Sequence, residues 1–402
     1  MKILYIAHFL PPLKNSEAKN NFITVTELKK NGFEPVILTS EGFRTNRDNT
    51  FSLDGFQVSR YDAATVPKKL PDALNPRTYL RLPDLPLNLA FRKQIVAAGR
   101  RLVAQNDIRA IYAVFGTGSE HLAAADLAGM TGLPLILEYR DPWIHNGSID
   151  QYMRDKFPPW YYRLCRKKMF SLQKYAVSRA SLLLVESGYN KLAIERDFGH
   201  KNVVLNYVGY HDFERDKIKD DAHQLVELPK HPVIGFIGNT YYGCETYFER
   251  ILKCLCELEN EGLEFTFVSV GENIFNRRTL SLSMKQHLPV SLVDFRKAQG
   301  FTSLLDWGLS ILSYPNLNSK IFDYISFGIP TLHFSPEGKS VRDFFAQTGV
   351  GFFISADNDS LKESLRKYLT TPVFKLAPEI IARFSRQATM VPVLEAINKL
   401  IR

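Results

Sequence analysis

The strongest constraint on the fold is a series of short, uninterrupted apolar runs separated by helical patterns. These runs do not alternate apolar and polar residues, which is the pattern of strands buried on both faces. In the first half they cover Ile3–Ala7, Pro35–Thr39, Ala110–Phe115, Pro134–Tyr139, Leu182–Glu186 and Val203–Asn206. Helical periodicity lies between them at Asn20–Lys30, Asn88–Gln105 and Glu120–Gly129, and from Pro158 to about Ala180. This order predicts a parallel sheet with helices on both faces, with 46–86 as an elaborated connection.

The same alternation restarts after a charged segment at 209–231, which the composition marks as an inter-domain link. The later strands are predicted at Val233–Gly238, Phe265–Gly271, Val290–Phe295, Leu309–Ser313, Thr331–Phe334 and Gly351–Ile354, with a helix at Cys244–Glu261. The sequence therefore predicts an α/β fold of two doubly wound Rossmann-like domains, 1–208 and 232–378, facing a central cleft. We expect residues 379–402 to form a C-terminal helix that packs back on the first domain.

Composition narrows the environment and the partners of the chain. The 402 residues carry a net charge of +9, which favours anionic partners such as nucleic acid, phosphorylated small molecules or an anionic membrane. The first strand is too short for a signal-peptide core, and no run of eighteen apolar residues predicts a membrane span. The four cysteines lack metal-binding spacing, so we expect reduced thiols in a cytoplasmic protein.

The segment from Ser319 to Pro330 combines an apolar helical face with two charges. Lys320 and Asp323 lie three residues apart in the first turns of the predicted helix. A helix N-terminus favours a bound anion, and a carboxylate one turn later suits a vicinal diol. The pair is therefore a candidate receptor for the diphosphate and ribose of a nucleotide. The alternative is an ordinary solvated Lys–Asp pair.

Five segments in the expected order resemble the retaining family-4 glycosyltransferases, which have two Rossmann-like domains (the GT-B architecture). They are Pro11–Pro12 with 28–36, Leu135–Trp143 ending in RDPW, Val185–Tyr189, Gly235–Asn239 and Ser319–Pro330. The resemblance implies that Lys320 faces the donor diphosphate and Asp323 holds the ribose. It also implies that the backbone of Gly238 and Asn239 approaches the phosphates and that the first domain binds the acceptor.

Several residues at strand ends of the first domain are candidates for acceptor chemistry. Asp141 follows a buried strand between Arg140 and Trp143, and we interpret it as a base or acceptor-binding group; the alternative is an Asp-Pro turn. His8 follows the first strand, where ligands bind in such sheets, and is a second catalytic candidate. The alternative for His8 is a buried structural imidazole.

The segment Gly116-Thr117-Gly118-Ser119-Glu120-His121 resembles a dinucleotide fingerprint but has His121 at the third glycine position. It is weak support for a nicotinamide cofactor, and we expect no cofactor and no metal. Gly118 is instead a candidate contact to an acceptor sugar, because it opens a helix.

The segment Arg154–Arg179 is strongly basic and contains Trp160, Tyr161 and Tyr162. Such a helix either lies on an anionic bilayer or packs with its basic face solvated. No nucleic-acid-binding module is recognisable, so we do not expect a nucleic-acid partner.

Taken with the resemblance, these features predict a hexosyltransferase for bacterial-type surface polysaccharide, peripheral on the inner face of the membrane. It would move a sugar from a nucleotide-sugar to a glycan or lipid-linked acceptor, with retention of configuration. Two alternatives remain open, a sugar-nucleotide epimerase and a non-catalytic descendant that acts as a binding partner. The second follows from departures from the family, such as the absence of glycine between Leu13 and Ala18.

Overall fold

The computed structural model describes residues 1–13, 15–41, 51–61, 85–140, 143–211, 232–238, 242–271, 287–290 and 295–401. The chain forms two compact units, one of Met1–Asn206 with Met390–Arg402 and one of Tyr207–Thr389. Of the predicted link at 209–231, residues 209–211 belong to the second unit, and 212–231 lie outside the described residues.

The first unit contains one parallel sheet of seven strands in the order β3-β2-β1-β4-β5-β6-β7. The strands are β1 (Lys2–Ala7), β2 (Glu34–Ser40), β3 (Gln57–Tyr61), β4 (Ile108–Val114), β5 (Leu135–Tyr139), β6 (Leu182–Val185) and β7 (Val203–Leu205). The helices are α1 (Ser16–Lys30), α2 (Leu85–Gln105), α3 (Ser119–Thr131), α4 (Gly147–Lys156), α5 (Pro159–Val177) and α6 (Gly188–Phe198), with a 3-10 turn at Trp143–His145. The order reverses between β1 and β4, and such switch points bind ligands at the carboxyl ends of the strands.

Side chains of β1 alternate between two apolar layers, which confirms a sheet covered on both faces. Leu4 and Ile6 belong to the layer that contains α2, α3 and α5, whereas Ile3 and Tyr5 belong to the opposite layer. Because both sets are fully buried, the strand has no polar face to present to water, and the sequence pattern is uninterrupted.

The second unit contains a parallel sheet of six strands in the order β10-β9-β8-β11-β12-β13, the same winding as in the first unit. The strands are β8 (Val233–Ile237), β9 (Thr266–Val270), β10 (His287–Val290), β11 (Trp307–Ile311), β12 (Thr331–Ser335) and β13 (Gly351–Ser355). The helices are α7 (Glu245–Asn260), α8 (Phe295–Ser303), α9 (Ser319–Ser326), α10 (Lys339–Thr348), α11 (Leu361–Thr370), α12 (Pro378–Arg383) and α13 (Arg386–Ile401). The switch point here lies between β8 and β11.

The C-terminal segment forms two helices, α12 and α13, instead of the single helix expected over 379–402. The start of α13 lies in the second unit, and its later part lies in the first. Met390, Val393 and Ile397 are fully buried in the same apolar cluster as Ile3 and Tyr5 of β1. Their spacing of three and four residues places them on one helical face.

Two edge strands differ from the sequence prediction. β3 lies inside the segment that the sequence predicts as a connection. All but one of its residues are exposed or partly exposed, so β3 lacks the apolar run of a buried strand. The strand expected at Val290–Phe295 ends at Val290, and Phe295 begins α8. Among the described residues, β10 pairs with β9 alone and is therefore an edge strand. An edge strand tolerates Pro289, whereas a central strand needs the amide hydrogen that proline lacks.

Candidate functional site

Helix α9 is fixed at the switch point of the second unit by Tyr324. Its phenol oxygen lies 2.9 Å from the carbonyl oxygen of Leu309 and 3.3 Å from that of Gly235, and accepts a 3.2 Å bond from the amide of Ile237. A Cβ at Gly308 would lie 2.4 Å from the Tyr324 ring, so only glycine leaves room for it. Tyr324 therefore joins α9 to the ends of both β8 and β11.

Lys320 and Gly238, two of the predicted donor-binding residues, lie side by side. The Lys320 ammonium is 4.2 Å from the centroid of the Phe236 ring, and its Cε would lie 3.0 Å from a Cβ added at Gly238. Gly238 has φ of +102°, a backbone conformation that favours glycine. A Cβ added at Gly271 would lie 2.7 Å from the carbonyl oxygen of Gly238, so the two backbones approach closely. Backbone and lysine thus converge where β8 ends.

The pKa of the Lys320 ammonium is lowered to about 8 because burial disfavours the charged form. The nearby Asp323 and Cys244 act in the opposite direction. Asp323 lies one turn later on α9 and is partly exposed. A bound anion would favour the charged lysine, so Lys320 is suited to an anionic ligand. Asn239, the fourth predicted donor residue, lies outside the described residues.

Asn318, which the sequence reasoning missed, is the N-cap of α9. Its side chain makes no capping bond, and its amide nitrogen and oxygen are both buried without a partner in the described chain. The residue is 6% exposed. Asn is a preferred N-cap, and its place directly before the predicted helix was the available signal. The N-terminus of α9 therefore has no side-chain cap, although the Ile321 amide donates a 3.3 Å bond to the Asn318 carbonyl oxygen, and a helix N-terminus favours an anion.

His8 lies at the carboxyl end of β1, beside the switch point of the first unit. Its carbonyl oxygen accepts bonds from the Ser40 hydroxyl at 2.7 Å and the Thr39 hydroxyl at 3.2 Å. Its Nδ1 lies 2.9 Å from the Tyr61 hydroxyl and 3.4 Å from Oε1 of Glu120. The imidazole is 5% exposed, so both interpretations offered by the sequence, a ligand-binding residue and a buried one, fit its position.

The N-terminus of α3, where Gly118 is the N-cap with φ of +85°, is occupied by a carboxylate of the chain itself. Oε2 of Glu120 accepts a 2.9 Å bond from the amide of Thr117. Burial acts to raise the pKa of Glu120, but hydrogen bonds from His8 and Thr117 lower it overall. The Glu120 carboxylate is thus the anion that the start of α3 binds in this structure.

His121 is a core residue and not part of a cofactor fingerprint. Its Nε2 lies 3.0 Å from the carbonyl oxygen of Ala113, and its ring packs edge-on against Tyr139 at 4.4 Å. Burial lowers its pKa to about 4, so the imidazole is neutral at physiological pH.

Arg140 forms an ion pair with Glu138. Its Nε donates a 2.8 Å bond to Glu138, whose other oxygen accepts a 2.5 Å bond from the Tyr112 hydroxyl. The guanidinium is almost fully buried, and its Nη1 has no hydrogen-bonding partner in the described chain. Asp141 lies outside the described residues, and only the backbone of Trp143 is described, as the start of the 3-10 turn.

Helix α5 presents a basic surface that also carries large apolar side chains. Trp160, Leu164 and Phe170 are 67%, 56% and 36% exposed. The opposite face is buried through Cys165, Met169, Gln173, Ala176 and Val177. Asp150 pairs with Arg154 and Arg166. Among the described residues, no carboxylate forms an ion pair with Arg163, Lys167, Lys168 or Lys174.

The described residues offer neither a cluster of metal ligands nor a membrane-spanning helix. They contain no group of three or more His, Cys, Asp or Glu side chains placed to hold a metal ion. Within the same ranges, no helix has both the length and the apolar character needed to cross a membrane.

Comparison with known proteins gives a fold and no family. No family model matches the sequence, and no curated protein matches it. Sucrose-phosphate synthase of Thermosynechococcus elongatus superposes with a TM-score of 0.69 at 13% identity, over 100% of this chain and 99% of that one. HepE of Anabaena, solved with UDP, gives 0.64 at 12% identity, over 99% and 100%. UDP-GlcNAc 2-epimerase of Neisseria meningitidis, bound to UDP-GlcNAc, gives 0.60 at 14% identity, over 99% and 100%. The chain thus has the two-unit α/β fold of GT-B glycosyltransferases, confirming the predicted fold class.

Proposed function

We propose that the protein is a glycosyltransferase that binds a nucleotide-sugar donor in its second unit. The observation that carries this proposal is Lys320, held against Phe236 and Gly238 at the switch point, two residues after Asn318, whose side chain makes no capping bond. A lysine, a helix N-terminus and glycine backbone together form a receptor for a diphosphate. Two proteins of the same fold were solved with UDP or a UDP-sugar, which supports this class of ligand.

In the proposed reaction, the bond between the sugar C1 and the diphosphate oxygen breaks as a bond to the acceptor hydroxyl oxygen forms. Lys320 and the first amides of α9 stabilise the negative charge that develops on the diphosphate. Asp323 binds the ribose hydroxyls, and the backbone of Gly238 and Asn239 lies near the phosphates. No cofactor or metal takes part.

Retention of configuration requires the hydroxyl to approach from the face that the diphosphate leaves. The departing diphosphate can then take the hydroxyl proton, while His8 or Asp141 orients the hydroxyl. Arg140, Trp143 and Gly118 are the proposed acceptor contacts. The proposed acceptor is a glycan or lipid-linked glycan of a bacterial-type surface polysaccharide, and the transferred group is a hexose.

A lipid-linked acceptor requires access to a membrane, and the exposed face of α5 has the chemistry for it. Trp160 and Leu164 lie one helical turn apart on this face. The same helix carries four cations that form no ion pair with a carboxylate of the described residues: Arg163, Lys167, Lys168 and Lys174. Apolar anchors among unpaired cations suit an anionic bilayer, at about 1 kcal/mol per cation near the surface.

Flotation with phosphatidylglycerol vesicles tests the membrane surface. We expect binding at low salt and loss at high salt, because screening weakens the attraction. Lys167→Glu with Lys168→Glu should abolish binding, whereas Lys253→Glu with Lys367→Glu, exposed helical lysines of the second unit, should not. Equal binding by both double variants would contradict the assignment.

A thermal-shift screen against nucleoside diphosphates and nucleotide sugars tests the donor site. We expect one nucleotide class to raise the melting temperature. The Lys320→Ala variant should lose this shift, and Lys339→Ala, which changes an exposed lysine in the first turn of α10, should keep it. No shift with any nucleotide would favour a non-catalytic binding protein.

The second candidate is a sugar-nucleotide epimerase, because UDP-GlcNAc 2-epimerase has the same fold. An epimerase needs a donor and no acceptor. Incubating the protein with the nucleotide sugar alone separates the two functions. An epimer without released nucleotide identifies an epimerase, whereas a transferase leaves the donor unchanged or hydrolyses it slowly.

A further inference from the structure

Three side chains from three separate elements meet at the end of β1 and form a buried hydrogen-bonded group. Nδ1 of His8 lies 2.9 Å from the hydroxyl of Tyr61, the last residue of β3. The same Nδ1 lies 3.4 Å from Oε1 of Glu120, in the first turn of α3. The Tyr61 hydroxyl completes the triangle at 3.5 Å from that oxygen.

We infer that Glu120 and Tyr61 hold His8 in the tautomer that carries its proton on Nδ1, which leaves Nε2 as a hydrogen-bond acceptor. Under the proposed function, Nε2 then accepts a hydrogen bond from the attacking hydroxyl of the acceptor. Only that last step rests on the proposed function. Glu120 and Tyr61 are positioning residues, because they act through His8.

The donor and acceptor capacity of each group selects this tautomer. An ionised carboxylate only accepts hydrogen bonds, and a phenol has one proton to donate. With the proton on Nδ1, the imidazole donates to Tyr61 or Glu120, and the phenol donates to Glu120. With the proton on Nε2, the lone pair of Nδ1 would face the Glu120 carboxylate at 3.4 Å. In this second arrangement the Tyr61 hydroxyl would donate to Nδ1 at 2.9 Å, and the buried Glu120 carboxylate would lose the phenol as a donor while its charge faces the imidazole. Because leaving a buried carboxylate without that donor is costly, the first arrangement prevails.

The ionisation states support the assignment. The pKa of Glu120 lies below its usual value despite burial, because His8 and Thr117 donate to the carboxylate. Burial and the neighbouring Glu120 raise the pKa of the Tyr61 phenol well above its usual value. Glu120 is therefore ionised and Tyr61 protonated at neutral pH.

The group is rigid except at the outer edge of the imidazole. Glu120 is fully buried and accepts bonds from the Thr117 amide at 2.9 Å and the Thr117 hydroxyl at 3.1 Å. The His8 ring packs against Phe9 and Phe91, with centroids 4.7 Å and 5.6 Å away. Nε2 of His8 has no hydrogen-bonding partner in the described chain. Because Nε2 is also not one of the fully buried polar atoms, solvent reaches this nitrogen. A ligand hydroxyl can replace that solvent.

The test is two-bond ¹H–¹⁵N correlation spectroscopy of the full-length protein with ¹⁵N-labelled histidine, without any substrate. Loss of one set of signals in His8→Gln assigns His8 among the nine histidines. We expect a protonated Nδ1 and an unprotonated Nε2 in the wild type. In Glu120→Gln the new amide can donate to Nδ1, so the proton should move to Nε2. A wild-type His8 with its proton on Nε2, or with protons on both nitrogens at neutral pH, would overturn the inference, and so would an unchanged tautomer in Glu120→Gln.

One further variant and an activity measurement keep the test decisive. If Glu120→Gln does not fold, Tyr61→Phe removes the phenol alone, and Nδ1 should then donate directly to Glu120 with its proton retained. Loss of the Nδ1 proton in Tyr61→Phe would contradict the arrangement. In folded Glu120→Gln, sugar transfer should fall about 100-fold while nucleotide binding stays unchanged. Since the tautomer is measured without substrate, absence of any transferase activity would refute the proposed function and leave this inference to stand or fall on the spectrum.

Discussion

Under the proposed function, the lowered pKa of Lys320 makes nucleotide affinity depend on pH in a calculable way. With a pKa of about 8, about nine-tenths of the lysine is charged near pH 7 and about one-tenth near pH 9 when no nucleotide is bound. A bound diphosphate raises the pKa of the lysine, so the complex retains the proton. The dissociation constant should therefore increase about tenfold from about pH 7 to about pH 9, or about 1.4 kcal/mol. The full nucleotide affinity is present below the pKa that Lys320 has without nucleotide, and it is lost as the pH rises above that value.

Isothermal titration calorimetry with UDP, ADP and GDP over this range provides the assay. The terminal phosphate, with a pKa of about 6, is already ionised and changes little. Near pH 8, repeated titrations in buffers of different ionisation enthalpy should show uptake of about half a proton per nucleotide. Lys320→Arg is the matched control, because its guanidinium stays charged throughout and its affinity should not depend on pH. A flat wild-type profile, or the same slope in Lys320→Arg, would refute the reasoning.

Three other substitutions test how the donor site is built. Gly238→Ala should weaken nucleotide binding and lower stability by about 1 kcal/mol or more in urea unfolding, because φ is +102° and the new Cβ meets Lys320; an unchanged variant would show that the close approach is not needed. Tyr324→Phe should cost about 1–3 kcal/mol of unfolding free energy, because the amide of Ile237 loses its partner; a smaller loss would mean that α9 is held by packing alone. Asn318→Asp should weaken nucleotide binding, because a carboxylate at the N-terminus of α9 repels the diphosphate, and tighter binding would contradict an anion site there.

The sequence predicts the architecture for an identifiable physical reason, whereas the donor site stays a prediction. The uninterrupted apolar runs predicted both doubly wound sheets, because strands buried on two faces have no polar side chains. The predicted role of Lys320 depends on a local motif, a helix start between two strands. The structure places Gly238 beside Lys320, and their contact with a phosphate stays a prediction.

The first unit was less predictable because its interactions join distant parts of the chain. His8 was recognisable from its place after the first strand, but its partner Tyr61 lies 53 residues away, on an edge strand without an apolar run. The sequence alone indicates only that Glu120 belongs to an imperfect dinucleotide fingerprint. Only the folded chain shows that its carboxylate turns back onto the helix N-terminus and the imidazole. Spacing along the sequence does not contain that contact.

The central claim is that Lys320 and Asp323 bind a nucleotide-sugar, and calorimetric titration of four proteins tests it most directly. The wild type and Lys339→Ala should bind the nucleotide with the same dissociation constant. Lys320→Ala and Asp323→Ala should each weaken binding at least about tenfold with the fold intact by circular dichroism. Unchanged affinity in both of these variants would contradict the account.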